Sequence, residues 1–186
     1  MTQPLVYPEA LAPWTVEDLD RLPVDNGQRY ELVDGTLLMS PMPAIPHLRV
    51  TNRLHRLLDR QAPQDVEVGQ NAGITIGGPR TCFVPDIFVV KGSAYDSDDK
   101  ELNPADVLMV VEVLSPSNSG IDLVLKRHYY ARVGIPSYWI VDQKGRTLTV
   151  LRLDGDAYRE DAVVQPGTTW QTDEPFPLSL DLEDFL

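Results

Sequence analysis

Val107-Leu108-Met109-Val110-Val111-Glu112-Val113-Leu114 is an apolar, largely β-branched run interrupted by one carboxylate. Such a run reads as a strand covered on both faces, the kind found in the middle of a sheet with helices packed over it. It points to an α/β (α+β) core. Because side chains alternate along a strand, Glu112 shares a face with Leu108, Val110 and Leu114. An unpaired buried carboxylate costs roughly several kcal/mol even after relaxation. Glu112 is therefore paired, neutralised or bound to a cation, unless the strand ends at the sheet rim, where Ser115-Pro116-Ser117 opens a loop and the carboxylate meets water.

The chain has 186 residues, which suits one domain. Its single cysteine, Cys82, cannot form an internal disulfide and reads as a small core residue. No apolar N-terminal run resembles a signal peptide or a membrane span, so the expected setting is a reducing cytoplasm with no membrane contact. A formal net charge of −12 opposes loose attraction to nucleic acid. Screening over about 8 Å nevertheless makes the local patch matter more than distant acids, and the acids crowd the termini and the loop from Asp96 to Glu101.

Residues 1–13 are proline-rich and read as an extended arm. Thr15, with Asp18 three residues on, caps a short helix to about Leu22. Tyr30 to Met39 is a hairpin about Asp34-Gly35. From His47 to Gln61 a helical period takes over, with Val50, Leu54, Leu57 and Leu58 as its buried stripe. Arg49, Arg53, Arg56 and Arg60 fall on another face, either as an ordinary solvated surface or as an edge facing phosphates. Strands are expected over Val66 to Ile76 and Phe83 to Val90. Pro85 makes the second an edge or a bulge just before Asp86. Ser115 to Gly120 is a loop able to cap a helix from Ile121 to Arg132, packed through Ile121, Leu125, Tyr129 and Val133. Strands follow at Tyr138 to Val141, Leu148 to Leu153 and, last, Tyr158 to Val164.

Glu31, Asp86, Glu112 and Lys126 occupy odd places in this scheme. Asp86 and Glu112 lie on consecutive strands, which usually pair, so both carboxylates project from one rim. Together with a backbone carbonyl they make a hard oxygen site suited to Mg²⁺ or Mn²⁺. Lys126 has a plainer alternative in a surface ion pair with Asp122, four residues away. His47, beside Pro46, has one as a half-exposed residue at a helix start.

Val84-Pro85-Asp86, the segment Val111 to Ser117, the set Asp122, Lys126, Tyr130 and Gly134, and Tyr138 to Asp142 resemble the Uma-type restriction endonuclease family of the PD-(D/E)XK superfamily. Tyr30 to Gly35 and His47 also match, and the likeness covers about residues 14–155. It implies a restriction-endonuclease-like core over about 28–155: a central mixed sheet flanked by helices, with an N-terminal hairpin and C-terminal strands. It also implies metal-dependent hydrolysis of DNA, with Asp86, Glu112 and Glu31 as Mg²⁺ or Mn²⁺ ligands. Leu114 stands where the signature has lysine, so Lys126 takes that role, orienting or deprotonating water. His47, Ser115 and the four arginines are the candidates for substrate contact. Relatives that cut two strands often pair up, which makes a homodimer one arrangement to test. A non-catalytic nucleic-acid-binding or regulatory domain on the same fold is the alternative.

Overall fold

The computed structural model describes residues 13–23, 27–95, 99–115 and 121–186, without the side chains of 121–123. The arm before Pro13, the acidic stretch Asp96 to Asp98, the loop beyond Ser115 and the side chains of Ile121 and Asp122 lie outside the described residues.

A single helical turn, α1 (Val16–Leu19), opens the described chain, with Asp18 accepting from the Thr15 amide at 2.9 Å. The expected hairpin follows as β1 (Gln28–Val33) and β2 (Thr36–Pro41). Its turn residues Asp34 and Gly35 take φ of 49° and 83°, the left-handed pair that suits the twist of two strands. Then come α2 (Ile45–Asp59), β3 (Val66–Gly69), β4 (Gly73–Thr75), β5 (Cys82–Phe83), β6 (Ile87–Lys91), α3 (Gly92–Tyr95) and β7 (Glu101–Leu102). The acid-bearing strand is β8 (Val107–Val113). A π-helical segment, Ile121–Lys126, runs into α4 (Arg127–Arg132), followed by β9 (Ser137–Asp142), β10 (Thr147–Asp154), β11 (Ala157–Val164), β12 (Trp170–Thr172) and β13 (Leu178–Leu180).

The central sheet has the order β11-β10-β9-β8-β6-β3, with β8 and β9 parallel and the other pairs antiparallel. A second sheet, β2-β1-β5-β4-β7, carries the hairpin. The β8 strand is thus interior, as its composition requires. On one face of the central sheet Val50, Leu54 and Leu58 of α2 pack with Val111, Trp139 and Val150; on the other, Tyr129 and Tyr130 of α4 pack with Phe83, Val110 and Tyr138. Cys82 is buried, and burial pushes its thiol up to about 12.

Two expected strands are each broken. The segment from Val66 to Ile76 divides into β3 and β4, which belong to different sheets, with Asn71 at φ 63° in the break. The segment from Phe83 to Val90 divides at Pro85, where the chain crosses from the second sheet into the central one. Pro85 does not mark an edge: β6 lies between β8 and β3. Nor is Tyr158 to Val164 the last strand, or residue 155 the end of the core. Phe176, Leu178, Leu180, Leu182 and Phe185 are all buried against the α2 face.

Candidate active site

The break at Pro85 decides where Asp86 points. Ile87 pairs with Val111 across β6 and β8, so Asp86 lies one step beyond the last ladder pair. There its Oδ2 accepts the Val113 amide at 2.8 Å. Its Oδ1 accepts from Arg29 Nη1 at 3.0 Å. His47 Nε2 is 3.1 Å from the same oxygen, yet off the alignment of a hydrogen bond, and His47 Nδ1 has no hydrogen-bond partner among the described residues. The His47 side chain is 11% exposed, well inside the half-exposed position a helix-start residue would take.

Arg29 and Glu31 are two apart on β1 and therefore share a face. Glu31 Oε1 accepts the Val84 amide at 2.8 Å and lies 2.9 Å from Lys126 Nζ. The same ammonium is 2.9 Å from Glu112 Oε1, which also accepts the Tyr130 hydroxyl at 3.2 Å. Lys126 and Tyr130, four residues apart across the junction of the π segment and α4, thus converge on one carboxylate oxygen. The Phe83 ring lies beneath Lys126, 5.6 Å from centroid to nitrogen.

Glu112 and Lys126 are each 2% exposed, Asp86 5% and Glu31 7%. These values remove both plainer readings: Glu112 does not meet water at a rim, and Lys126 is not half of a surface pair. Burial would raise the Asp86 carboxyl, but His47, Arg29 and the Val113 amide outweigh it and hold the group below the ordinary carboxylate range. For Arg29, burial opposes the charged form, and Asp86, Glu112 and Glu31 more than reverse that. Burial, reinforced by Glu112 and Glu31, drives the Tyr130 phenol well above its usual value, so its proton stays on.

The four arginines do not join this cluster. At about 100° per residue, Arg49, Arg53, Arg56 and Arg60 fall roughly 150° around α2 from His47, and all four are exposed. Ser115 is half-buried just past the end of β8. Sequence alone gives Arg29 no role; its place two residues from Glu31 on β1 matters only once that strand is known to face inward. In the sequence Tyr130 is only a matching residue, and a step of four from Lys126 gives its role.

The donor set suits a hard cation: three buried carboxylates, Glu31, Asp86 and Glu112, against two full cations, Arg29 and Lys126. Among the described residues, however, no three histidine, cysteine, aspartate or glutamate side chains stand ready to hold one ion. Glu31 and Glu112 close on Lys126, while Asp86 turns to Arg29. Gathering all three on one ion requires glutamate rotamers that loosen the grip on Lys126.

A mixed central sheet flanked by helices, with a second sheet carrying the N-terminal hairpin, matches a restriction-endonuclease-like nuclease fold. The chain belongs to the Uma2 family, described as "Putative restriction endonuclease", whose family model matches residues 16–183. A crystal structure of a "putative nuclease belonging to DUF820" from Anabaena variabilis has the same fold. Its TM-score is 0.71 at 21% identity, covering 93% of this chain and 97% of that one. No curated protein matches the chain. Family membership supports nuclease function and a nucleic-acid substrate. No helix among the described residues is long and apolar enough to cross a membrane.

Proposed function

We propose that the chain is a divalent-metal-dependent endonuclease hydrolysing DNA phosphodiester bonds. The observation that carries this reading is Lys126 Nζ, held 2.9 Å from both Glu31 and Glu112 in a buried cluster that continues to Asp86, just ahead of the neighbouring strand β6. Asp86, Glu112 and Glu31 would hold Mg²⁺ or Mn²⁺. Such an ion, when bound, supplies polarisation of the phosphoryl group and activation of water. Lys126 brings an ammonium able to donate to a phosphoryl oxygen or to orient water for attack. Tyr130, keeping its proton, donates to Glu112 and fixes that carboxylate's direction. Arg29 holds Asp86 in place. With histidine counted neutral, three acids and two bases leave one negative charge, which a divalent ion and one phosphodiester together bring to zero. That balance favours a phosphodiester over a dianionic phosphomonoester. A single buried thiol suits work in a reducing cytoplasm.

Supercoiled plasmid incubated with Mg²⁺ or Mn²⁺ tests the reading. Nicked or linear product should form, stop in EDTA, and be lost in Glu112→Gln; cleavage by that variant at the full rate would rule the assignment out. A second reading, a non-catalytic nucleic-acid-binding domain, draws on Leu114 and on the glutamates' closure around Lys126. It calls for DNA binding that is indifferent to EDTA and to Asp86→Asn.

A further inference from the structure

The arginine stripe is separate from the acids, yet it borders a cavity of its own. Arg53, Arg56 and Arg60 line a groove of about 740 Å³ with Leu57, Gln61 and the C-terminal segment at Ser179, Glu183 and Asp184. The groove is braced: Gln61 donates to Ser179 O at 3.0 Å and accepts the Ser179 amide at 2.9 Å. Of its two acids, Glu183 already pairs with Arg146 at 2.8 Å. No side chain of Arg49, Arg53, Arg56 or Arg60 makes a hydrogen bond or ion pair among the described residues, and Arg49 extends the row beyond the groove.

Four guanidiniums, unpaired among the described residues and within roughly 60° of one helix face, concentrate positive charge in a chain of net charge −12. From Arg49 to Arg60 the Cα atoms rise about 16 Å along the axis. One strand of a duplex places about five phosphates over that length. An extended polyanion matches the whole row, whereas a lone phosphate meets one or two of its members.

We infer that the α2 arginine ridge and the groove beside it form a second, non-catalytic nucleic-acid site that grips the phosphate backbone away from the reacting bond. The occupant's identity rests on the nuclease reading above; the charge and shape of the site do not. Cationic guanidiniums displace counterions from the backbone, so binding here is salt-dependent and blind to sequence. The rest of the acidic surface repels DNA, so backbone binding away from the reacting bond concentrates on this side of α2.

The test measures binding with cleavage switched off. The intact chain in EDTA is titrated against fluorescein-labelled oligonucleotide, single-stranded and duplex, from about 50 to 200 mM salt. Two triple variants are compared: Arg53→Gln/Arg56→Gln/Arg60→Gln, and a control with the same charge change elsewhere, Arg21→Gln/Lys144→Gln/Arg159→Gln. The ridge triple should bind at least tenfold more weakly, flatten the log–log salt slope on duplex by about 2 to 3, and melt where the parent melts. The control should stay near the parent. Equal losses in both triples, unchanged affinity in the ridge triple, or no binding by the parent overturns the inference. So does a ridge triple that turns a dimer into a monomer in sedimentation while binding as before, because the ridge is then a self-interface. Plasmid cutting with Mg²⁺ is scored separately. A chain that cuts without using the ridge refutes the ridge alone, and one that binds through the ridge without cutting refutes hydrolysis alone.

Discussion

Lys126 stabilises two carboxylates that would otherwise repel each other in a dry pocket, and the cost of removing it follows from that. Lys126→Met keeps the volume but leaves Glu31 and Glu112 facing without their cation. It should cost about 3–5 kcal/mol in urea unfolding at neutral pH. Asp86 adds a pH dependence of its own. Its carboxyl is held low in the folded state, so its stabilisation is complete above the unfolded carboxylate value and drains as pH falls through the folded one. Asp86→Asn should therefore flatten the acid limb of a stability-against-pH curve. Tyr130→Phe removes one hydrogen bond to Glu112, leaving the ring packing as it was. Its expected stability loss is about 0.5–1.5 kcal/mol, with a larger effect on cleavage if Glu112 must be aimed. Among these groups, the acids and Lys126 are legible in the sequence because each is a charge where an apolar or turn residue belongs. Arg29 is not, since an arginine at the start of a hairpin strand looks ordinary until the strand is known to face inward.

At the scale of elements, the site depends on a hairpin turn. Tyr129 donates its hydroxyl to Asp34 at 2.5 Å, and the Asp34 amide donates to Thr81 at 3.1 Å, so α4 and the β4–β5 connection both grip the turn that aims Glu31. Gly35, at φ 83°, has no room for a side chain: a Cβ there would come within 2.4 Å of Pro13. Gly35→Ala should cost about 1–3 kcal/mol from backbone strain alone and weaken cleavage through Glu31, read by melting temperature and plasmid assay together. The Asp-Gly signal made the hairpin readable in advance. The crossings between sheets at Gln70 to Ala72 and at Pro85 were not, because a strand that leaves one sheet for another keeps the same local alternation. The π segment is equally silent, since its apolar stripe reads as an ordinary helix.

For the whole molecule, the core runs beyond residue 155, and its last part is hard to read in sequence for a physical reason: short strands with few alternating positions give weak periodicity, and β12 and β13 have three residues each. Their segment nonetheless buries Phe176, Leu178, Leu180, Leu182 and Phe185. At about 1.5–3 kcal/mol per buried side chain, that contribution rivals the entire stability of a domain, about 5–15 kcal/mol. Truncation after Val164 should therefore abolish cooperative unfolding, as followed by near-ultraviolet circular dichroism on heating. In the proposed mechanism, acids from distant parts of the chain serve one divalent ion beside Lys126. Anomalous scattering from a crystal soaked in Mn²⁺ reports on that without needing a substrate. A peak bounded by Asp86 and Glu112, with Lys126 drawn off Glu112, is the expected result; manganese found only at other acids, such as Asp20 and Glu101, would contradict it.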